Sequence, residues 1–311
     1  MKDKILLFTD LDGTLLDHYT YSYHHADEAL ALVRKLEVSL VLCSSKTKEE
    51  IEIYRKRLSN NEPFISENGG AIYVPKQYKN VYSSRNGFRI KSEIKLSEYN
   101  CNQDLVSSKT ENQIGFSITE KCNKNDNDYF IIEIGTHYEK LVEAFEKIKR
   151  KAGVNIKGFN EFTLDEVVQL TKLSKDEAML ALKREYTLPF VVYGEGEDAR
   201  IIKEEIALSG LNYTEGAKFM YLMGENDKGK AVRILTDIYK RNYTETDITT
   251  VGIGDSLNDL PMLEAVDRPF LVKKVSGNYD ERIKVENLVF ADGIGPVGWN
   301  KAILQLLNEY F

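Results

Sequence analysis

The chain has few cysteines, no long apolar run and no large excess of charge of either sign. Its three cysteines, Cys43, Cys101 and Cys122, are odd in number and far apart, which excludes a disulfide framework and a Cys-x-x-Cys metal pair. No apolar stretch approaches the roughly 18 residues that a membrane-spanning helix needs, and the four apolar residues at 5–8 are too few for a signal peptide. We therefore expect a protein of the reducing cytoplasm, with no membrane contact.

The balance of charge argues against two classes of partner. The 42 lysines and arginines are set against 49 aspartates and glutamates, which gives a formal net charge of -7. A mildly acidic chain has no general attraction for nucleic-acid phosphates or anionic lipid, so neither is expected as a partner. The length of 311 residues, with an ordinary share of apolar residues, fits two domains of usual size.

Short apolar runs alternate with helical patterns at both ends of the chain. Four such runs, each bounded by turn residues, predict strands at 5–9, 38–43, 63–65 and 248–253. The spacing of apolar residues predicts helices, for example at 26–36 and 48–58. Alternating strands and helices are typical of a parallel sheet covered on both faces, so we predict an α/β, Rossmann-like core.

The middle of the chain has a different pattern. Alternating segments predict strands at 113–119, 129–134, 190–193 and 218–222, and longer stretches predict helices at 139–152 and 175–185. This combination favours an antiparallel α+β unit. The alternation of predicted strands and helices that is typical of the core returns only near residue 223. We therefore predict a core domain of residues 1–81 and 223–311, interrupted by an inserted α+β cap domain of residues 82–222.

Polar residues follow three of the predicted core strands. These segments are Asp10-Leu11-Asp12-Gly13-Thr14, Ser44-Ser45-Lys46-Thr47 and Gly254-Asp255-Ser256-Leu257-Asn258-Asp259. Ligands of an open parallel sheet bind beyond the carboxyl ends of its strands, so these side chains are expected in one crevice. Neighbouring carboxylates ionise together readily only when a cation joins them, and oxygen ligands select a hard cation. The pattern therefore predicts a Mg²⁺ site.

The carboxylates of Asp10 and Asp12 follow the same strand and can take different tasks. Asp10 can act as a nucleophile at phosphorus, while Asp12 lies beyond a backbone turn and can carry a proton. Ser44 can donate a hydrogen bond to the phosphoryl group. Lys228, predicted at a helix N-terminus, is a second donor, and Lys230 competes for its role. The residues alone thus predict covalent catalysis of phosphoryl transfer.

Taken in order, these motifs resemble those of the haloacid-dehalogenase-like phosphohydrolases. The four motifs are Asp10-Leu11-Asp12-Gly13-Thr14, Ser44, Lys228, and Gly254-Asp255 through Asn258-Asp259. Within that superfamily the core resembles the mannosyl-3-phosphoglycerate phosphatase family in the segments Ser44-Ser45-Lys46-Thr47, Glu67-Asn68-Gly69-Gly70, Asn226-Asp227-Lys228-Gly229-Lys230-Ala231 and Gly295-Pro296-Val297-Gly298-Trp299. The cap departs from that family's Arg-x-x-Ser-Glu-Pro stretch, because Leu188 replaces the acid between Arg184 and Pro189.

The resemblance implies a Mg²⁺-dependent phosphatase that hydrolyses a glycosyl-3-phosphoglycerate through an aspartyl phosphate. It implies Asp10 as the nucleophile and Asp12 as the general acid and base. The implied metal site consists of Asp10, the main-chain carbonyl of Asp12, and Asp255, with support from Asn258 and Asp259. The implied phosphate and substrate contacts are Ser44, Lys228, Lys46, Asn68 and, from the cap, Arg184. Arg184 lies near a predicted helix end, where it either interacts with the helix dipole or clamps a substrate carboxylate.

Other functions stay open at this level. Phosphomannomutases share the Asp-x-Asp-Gly-Thr opening and pass the phosphate from the aspartate back to a sugar, so that release of free phosphate separates them from a phosphatase. A general sugar-phosphate phosphatase of the same superfamily is a further alternative. A sugar-phosphate binding protein with a decayed site is the last, and the chemically intact motif positions argue against it. Mannosyl and glucosyl substrates are equally compatible with the sequence.

Overall fold

The computed structural model describes residues 4–76, 117–119, 129–194, 196–216, 218–243 and 246–310. Cys101, Cys122 and part of the predicted strand 113–119 lie outside these ranges. The strands are β1 (Lys4–Thr9), β2 (Ser39–Cys43), β3 (Phe64–Ser66), β4 (Ala71–Pro75), β5 (Ser117–Thr119), β6 (Tyr129–Glu133), β7 (Ile156–Gly158), β8 (Thr187–Val192), β9 (Asn212–Glu215), β10 (Met220–Met223), β11 (Ile248–Gly254), β12 (Arg268–Lys273) and β13 (Val289–Ile294). The helices are α1 (Asp27–Lys35), α2 (Lys48–Leu58), α3 (Tyr138–Ala152), α4 (Leu164–Thr171), α5 (Lys175–Ala181), α6 (Gly196–Leu208), α7 (Lys228–Asn242), α8 (Leu260–Leu263) and α9 (Gly295–Tyr310).

The larger sheet has the strand order β13, β12, β11, β1, β2, β3, β4, β6 and β5. Pairing is parallel from β13 to β3 and antiparallel from β3 to β5. In β1, Leu7 pairs with Leu40 of β2 on one side and with Val251 of β11 on the other. The parallel part confirms the predicted α/β core, and it brings the carboxyl ends of β1, β2 and β11 to one edge of the sheet.

Both faces of the larger sheet are covered by helices. Side chains alternate along β1, so Leu7 packs on one face and Phe8 on the other. The face of Leu7 packs against α1, α2 and α9, where Trp299 is fully buried. The face of Phe8 packs against α7 and α8, where Tyr239 is fully buried. Within the described ranges, every helix is too short or too polar to cross a bilayer.

The smaller sheet has the order β7, β8, β10 and β9 and is antiparallel throughout. On one face, Phe190 of β8 packs with residues of α3 and α6. Val191, the next residue of β8, packs instead against the apolar cluster formed by α4 and α5. Both of these short helices begin at capping boxes, with Thr163 and Ser174 as the N-cap residues. The unit is the α+β cap that the sequence predicts.

Strands β5 and β6 belong to the larger sheet, although the sequence places both in the insertion of residues 82–222. β6 pairs with β4 in antiparallel register from Ala71 opposite Glu133 to Pro75 opposite Tyr129. Alternating apolar residues indicate a strand, whereas its partner depends on contacts with residues distant in the chain. In the described residues the chain enters the smaller sheet after β6 and leaves it at the end of β10. We therefore propose cap borders near Glu133 and Met223.

Candidate active site

The carboxyl ends of the core strands open into a pocket that the core and the cap build together. The predicted site residues that line this pocket are Asp10, Asp12, Lys46, Arg184, Asp255 and Asn258. The other four, Ser44, Asn68, Lys228 and Asp259, are buried beside it and do not line it. The structure thus gathers all ten residues in one region, as a lining layer and a buried supporting layer.

The turn after β1 carries the first motif. Leu16 N–H donates to the carbonyl of Leu11 at 2.8 Å, and Gly13 N–H donates to the carbonyl of Leu16 at 3.0 Å. Gly13 has a φ of +81°, which favours glycine. A Cβ atom at this position would lie 2.9 Å from Oδ2 of Asp255. Glycine therefore permits both the turn and the close approach of the Asp255 carboxylate.

Lys228 bridges two of the aspartates. Its Nζ lies 2.6 Å from Oδ1 of Asp10 and 2.6 Å from Oδ1 of Asp259, and its side chain is fully buried. Burial alone lowers the pKa of a lysine, but the charges of Asp10 and Asp259 reverse this effect and hold the pKa of Lys228 above its usual range. Burial raises the pKa of Asp10 to about 7, against the opposing charge of Lys228. The ammonium group thus offsets part of the carboxylate charge at the end of β1.

Three carboxylates meet next to this lysine. One oxygen from each of Asp10, Asp255 and Asp259 lies within 4.8 Å of the others. Burial raises the pKa of Asp255 well above its usual range, and the charges of Asp259 and Asp10 add to the shift. Both oxygens of Asp259 are engaged, because Oδ1 accepts from Lys228 and Oδ2 accepts from the N–H groups of Asp255 and Ser256. An all-oxygen donor set of this kind fits a hard divalent cation, which Asp10 and Asp255 could hold while Asp259 supports them.

Asp12 and Lys46 form an ion pair on the pocket wall. Nζ of Lys46 lies 3.0 Å from Oδ2 of Asp12 and 3.6 Å from Oε1 of Glu50. Lys46 is placed by the start of α2, where Thr47 and Glu50 form a capping box. The other oxygen of Asp12, Oδ1, is buried and has no hydrogen-bond partner among the residues that the structure describes. That oxygen is available to a group that enters the pocket.

Ser44 and Asn68 connect the loops behind the pocket. Oγ of Ser44 accepts a hydrogen bond of 3.2 Å from the N–H of Lys46, and the N–H of Asn68 donates to the carbonyl of Ser44 at 3.0 Å. Oδ1 of Asn68 accepts from Nδ2 of Asn258 at 3.3 Å. Nδ2 of Asn68 is buried and finds no acceptor in the described part of the chain. Because buried donors are rarely left unpaired, this amide indicates a further acceptor at the site.

Arg184 reaches from the cap to the core. Its Nη1 donates to the carbonyl of Ser45 at 2.6 Å, and its Nε donates to the carbonyl of Ala181 at 2.9 Å. Its Nη2 lies 3.7 Å from Oε2 of Glu50. The sequence leaves this arginine as either a clamp for a substrate carboxylate or a cation at a helix end. In the structure much of its hydrogen-bonding capacity is already used by protein oxygens, so it joins the cap to the core along the pocket wall.

Glu67 makes a second connection between core and cap, and it was not among the predicted site residues. Its carboxylate accepts the N–H groups of Glu185, Tyr186 and Thr187 at 2.9, 3.1 and 2.9 Å, and the Thr187 hydroxyl at 2.8 Å. Burial raises the pKa of Glu67, and the charge of Arg184 and these donors oppose that shift. The sequence signal for this contact is an acidic residue directly after a buried core strand. A carboxylate buried there requires several hydrogen-bond donors from elsewhere in the chain.

The fold and this lysine-bridged aspartate cluster define a hydrolase with a Rossmann-like α/β core and an α+β cap. The family model described as haloacid dehalogenase-like hydrolase matches residues 7–284, and the chain belongs to that family. The chain is 42% identical over 307 residues to the glucosyl-3-phosphoglycerate/mannosyl-3-phosphoglycerate phosphatase of Methanococcoides burtonii, with 98% of each chain covered. It is 37% identical over 306 residues to the protein of the same name from Persephonella marina, again with 98% of each chain covered.

Solved structures share the fold at much lower sequence identity. A haloacid dehalogenase-like hydrolase from Bacteroides thetaiotaomicron superposes with a TM-score of 0.58 at 18% identity, covering 98% of this chain and 100% of that chain. A sucrose-phosphatase from Synechocystis, solved with sucrose and phosphate, has a TM-score of 0.55 at 12% identity, with 100% and 98% of the chains covered. At these identities the likeness concerns the fold alone.

Proposed function

We propose that this chain is a Mg²⁺-dependent phosphatase that releases phosphate from glucosyl-3-phosphoglycerate and mannosyl-3-phosphoglycerate. The observation that carries the proposal is Asp10, a pocket-lining carboxylate with Lys228 on one oxygen and Asp255 close by. The relatives from M. burtonii and P. marina, which match over 98% of this chain, carry both substrates in their names. The proposal transfers that substrate class to a site whose chemistry suits phosphate removal.

The proposed metal site uses the carboxylates of Asp10 and Asp255 and the main-chain carbonyl of Asp12. The oxygen-only donor set and the close approach of three aspartates support a divalent cation, and Mg²⁺ is the ion that usually accompanies a few carboxylates and a phosphate. When bound, the cation offsets the negative charge of the phosphoryl oxygens as they approach the carboxylates.

In the first proposed step, Asp10 attacks phosphorus. Oδ1 of Asp10 is held by Lys228, which leaves Oδ2 as the attacking atom. An oxygen–phosphorus bond forms to Asp10 while the bond between phosphorus and the glycerate oxygen breaks. Asp12, protonated at this stage, gives its proton to the leaving oxygen, and the glycosylglycerate departs as an alcohol.

In the second proposed step, the Asp12 carboxylate takes a proton from a water molecule. The oxygen of that water attacks phosphorus, the bond to Asp10 breaks, and inorganic phosphate leaves with Asp10 restored as a carboxylate. Lys46, 3.0 Å from Oδ2 of Asp12, keeps the side chain of Asp12 at the pocket wall in both steps.

The remaining predicted contacts, together with Glu67, take proposed roles around the phosphoryl group or between cap and core. Ser44 and Lys228 bind its oxygens, and the unpaired Nδ2 of Asn68 supplies a further donor. Arg184 and Glu67 keep the cap against the core, which reduces the access of water during the first step. Each of these roles places a polar group where charge develops on the phosphoryl oxygens or where the cap must close.

The test is a screen for phosphate release by the purified chain with Mg²⁺. The substrates are glucosyl-3-phosphoglycerate, mannosyl-3-phosphoglycerate, 3-phosphoglycerate and simple hexose phosphates. We expect the two glycosyl compounds to have the highest kcat/KM. A preference for hexose phosphates would discard the substrate class, and conversion of a sugar phosphate to its isomer without free phosphate would replace hydrolysis by phosphotransfer.

A further inference from the structure

Among the residues that the structure describes, three lysine or arginine side chains line the pocket: Lys46, Arg184 and Lys218. Lys46 faces the carboxylates of Asp12 and Glu50, and Arg184 donates to the carbonyl of Ser45 and lies close to Glu50. Both are therefore occupied by the protein itself. Lys218 differs, because no carboxylate in the described ranges lies within 4.0 Å of its Nζ.

Lys218 is held at the pocket by a neutral contact. It lies in the turn between β9 and β10, which is closed by a 3.0 Å hydrogen bond from Gly216 N–H to the carbonyl of Phe219. Its Nζ donates at 3.3 Å to the carbonyl of Thr171, the last residue of α4. The hydroxyl of Tyr21, from the core, donates to the same carbonyl at 3.3 Å. Carbonyls at a helix C-terminus favour a cation, so the ammonium group is positioned without being neutralised.

We propose that Lys218 binds the carboxylate of the glycerate part of the substrate. The inference rests on the proposed function, since that function supplies a substrate with a phosphate and a carboxylate. Asp10 and Asp255 mark the proposed phosphate end of the pocket, and Lys218 is an exposed cation that the cap contributes to the same pocket. An anion that reaches Lys218 does not have to displace a protein carboxylate, whereas an anion that reaches Lys46 or Arg184 competes with Asp12 or Glu50.

If Lys218 binds the glycerate carboxylate, the preference for the glycosyl-3-phosphoglycerates arises in KM. A carboxylate distant from the reacting phosphorus binds equally in the ground state and in the transition state, so its loss raises KM and leaves kcat nearly unchanged. A charge-assisted hydrogen bond of this kind corresponds to about a ten- to hundred-fold change in kcat/KM.

The experiment compares each glycosyl-3-phosphoglycerate with its methyl ester, which removes the carboxylate charge and keeps the rest of the molecule. Wild type, Lys218→Met and Lys218→Arg are assayed with Mg²⁺ on both compounds. Lys147→Ala is the control, because it removes one charge from an exposed position on helix α3 of the cap. We expect wild type, Lys218→Arg and the control to prefer the acid by about ten- to a hundred-fold, and Lys218→Met to lose that preference through KM.

Two results would overturn the proposal. An unchanged preference for the acid in Lys218→Met removes Lys218 from the site, and an equal fall on acid and ester assigns it to the phosphate, the sugar or the cap structure. If wild type leaves both glycosyl-3-phosphoglycerates intact, the proposed function fails separately. Calorimetry with 3-phosphoglycerate and glycerol 3-phosphate, which carries an alcohol in place of the carboxylate, then decides whether Lys218 recognises a carboxylate.

Discussion

Lys228 donates a 2.6 Å hydrogen bond to Oδ1 of Asp10, although 218 residues separate the two in the chain. The ammonium group is fully buried, and the same atom also contacts Asp259. This ion pair joins the first strand of the core to the first helix after the cap. It therefore has a structural task as well as a place in the proposed chemistry.

Replacement of Lys228 by methionine is expected to destabilise the fold and to abolish phosphate release. Without the ammonium group, Asp10 and Asp259 are left as unpaired buried charges, which costs about 3–5 kcal/mol. Urea unfolding measures the loss. Lys230→Met, two residues along the same helix, is the control and is expected to change the free energy of unfolding by less than about 0.5 kcal/mol. Equal effects of the two variants would contradict the assignment of Lys228.

Asp10→Asn is expected to lower kcat by at least about a thousand-fold, because an amide cannot form the acyl phosphate. The measurement is phosphate release by the folded variant, with the fold checked by circular dichroism. Asp27→Asn, the same substitution in the exposed first turn of α1, should retain full activity. Retention of more than a few per cent of activity in Asp10→Asn would rule out Asp10 as the nucleophile.

Removal of divalent cations is expected to stop turnover, and Mg²⁺ is expected to restore it. Ca²⁺ should replace Mg²⁺ poorly, because it takes more oxygen ligands at longer distances and can engage both oxygens of Asp10. Mg²⁺ should also raise the melting temperature of wild type, since binding at a hundred times Kd stabilises a fold by about 2.7 kcal/mol. Asp255→Asn should lose most of this stabilisation. Full activity in excess chelator would exclude the metal site.

Arg184→Ala is expected to weaken the contact between cap and core without altering the preference for a carboxylate. The loss of its bonds to Ser45 and Ala181 should lower the free energy of unfolding by about 1–3 kcal/mol, as measured by urea unfolding. The kcat/KM values for the acid and for its methyl ester should fall by the same factor. A selective fall on the acid would restore Arg184 as the carboxylate clamp that the sequence suggests.

Gly69→Ala is expected to destabilise the protein by more than about 2 kcal/mol. Gly69 has a φ of +84°, and a Cβ atom there would lie 2.0 Å from the carbonyl oxygen of Asp227, next to Lys228. Gly210→Ala is the matched control, because Gly210 has a φ of +76° with no atom within 4 Å of the added Cβ. The control should cost only about 1 kcal/mol. Similar losses in both variants would show that backbone strain alone matters at Gly69.

The location of the proposed chemistry could be predicted because it follows from local pattern and a general rule. Each short apolar run predicts a strand, and parallel strands bring their carboxyl ends together, so Asp10, Ser44 and Asp255 were expected in one place. The observed strands Lys4–Thr9, Ser39–Cys43 and Ile248–Gly254 differ from the predicted ones by one residue at most. The family resemblance added the roles of residues whose surroundings the sequence does not reveal.

The features that were missed depend on contacts between distant residues. β6 pairs with β4 instead of joining the cap, and Glu67 accepts hydrogen bonds from residues 118 to 120 positions away. Neither partner is encoded in a local pattern. The sequence does not single out Lys218 either, because a lysine at the start of a predicted strand resembles any solvent-exposed lysine until the neighbouring charges are known.

Because β1 lies between β2 and β11, one of its two edges stays unpaired for a long time during synthesis on the ribosome. β2 emerges soon after β1, but the other edge of β1 has no partner until Ile248–Gly254 has been translated. At about 5–20 residues per second this takes roughly 10–50 s. Throughout that interval the nascent chain exposes an apolar strand edge of the kind that promotes aggregation. Chains that end before β11 are consequently expected to be substrates for chaperones and proteases, and they lack the aspartates that complete the metal site.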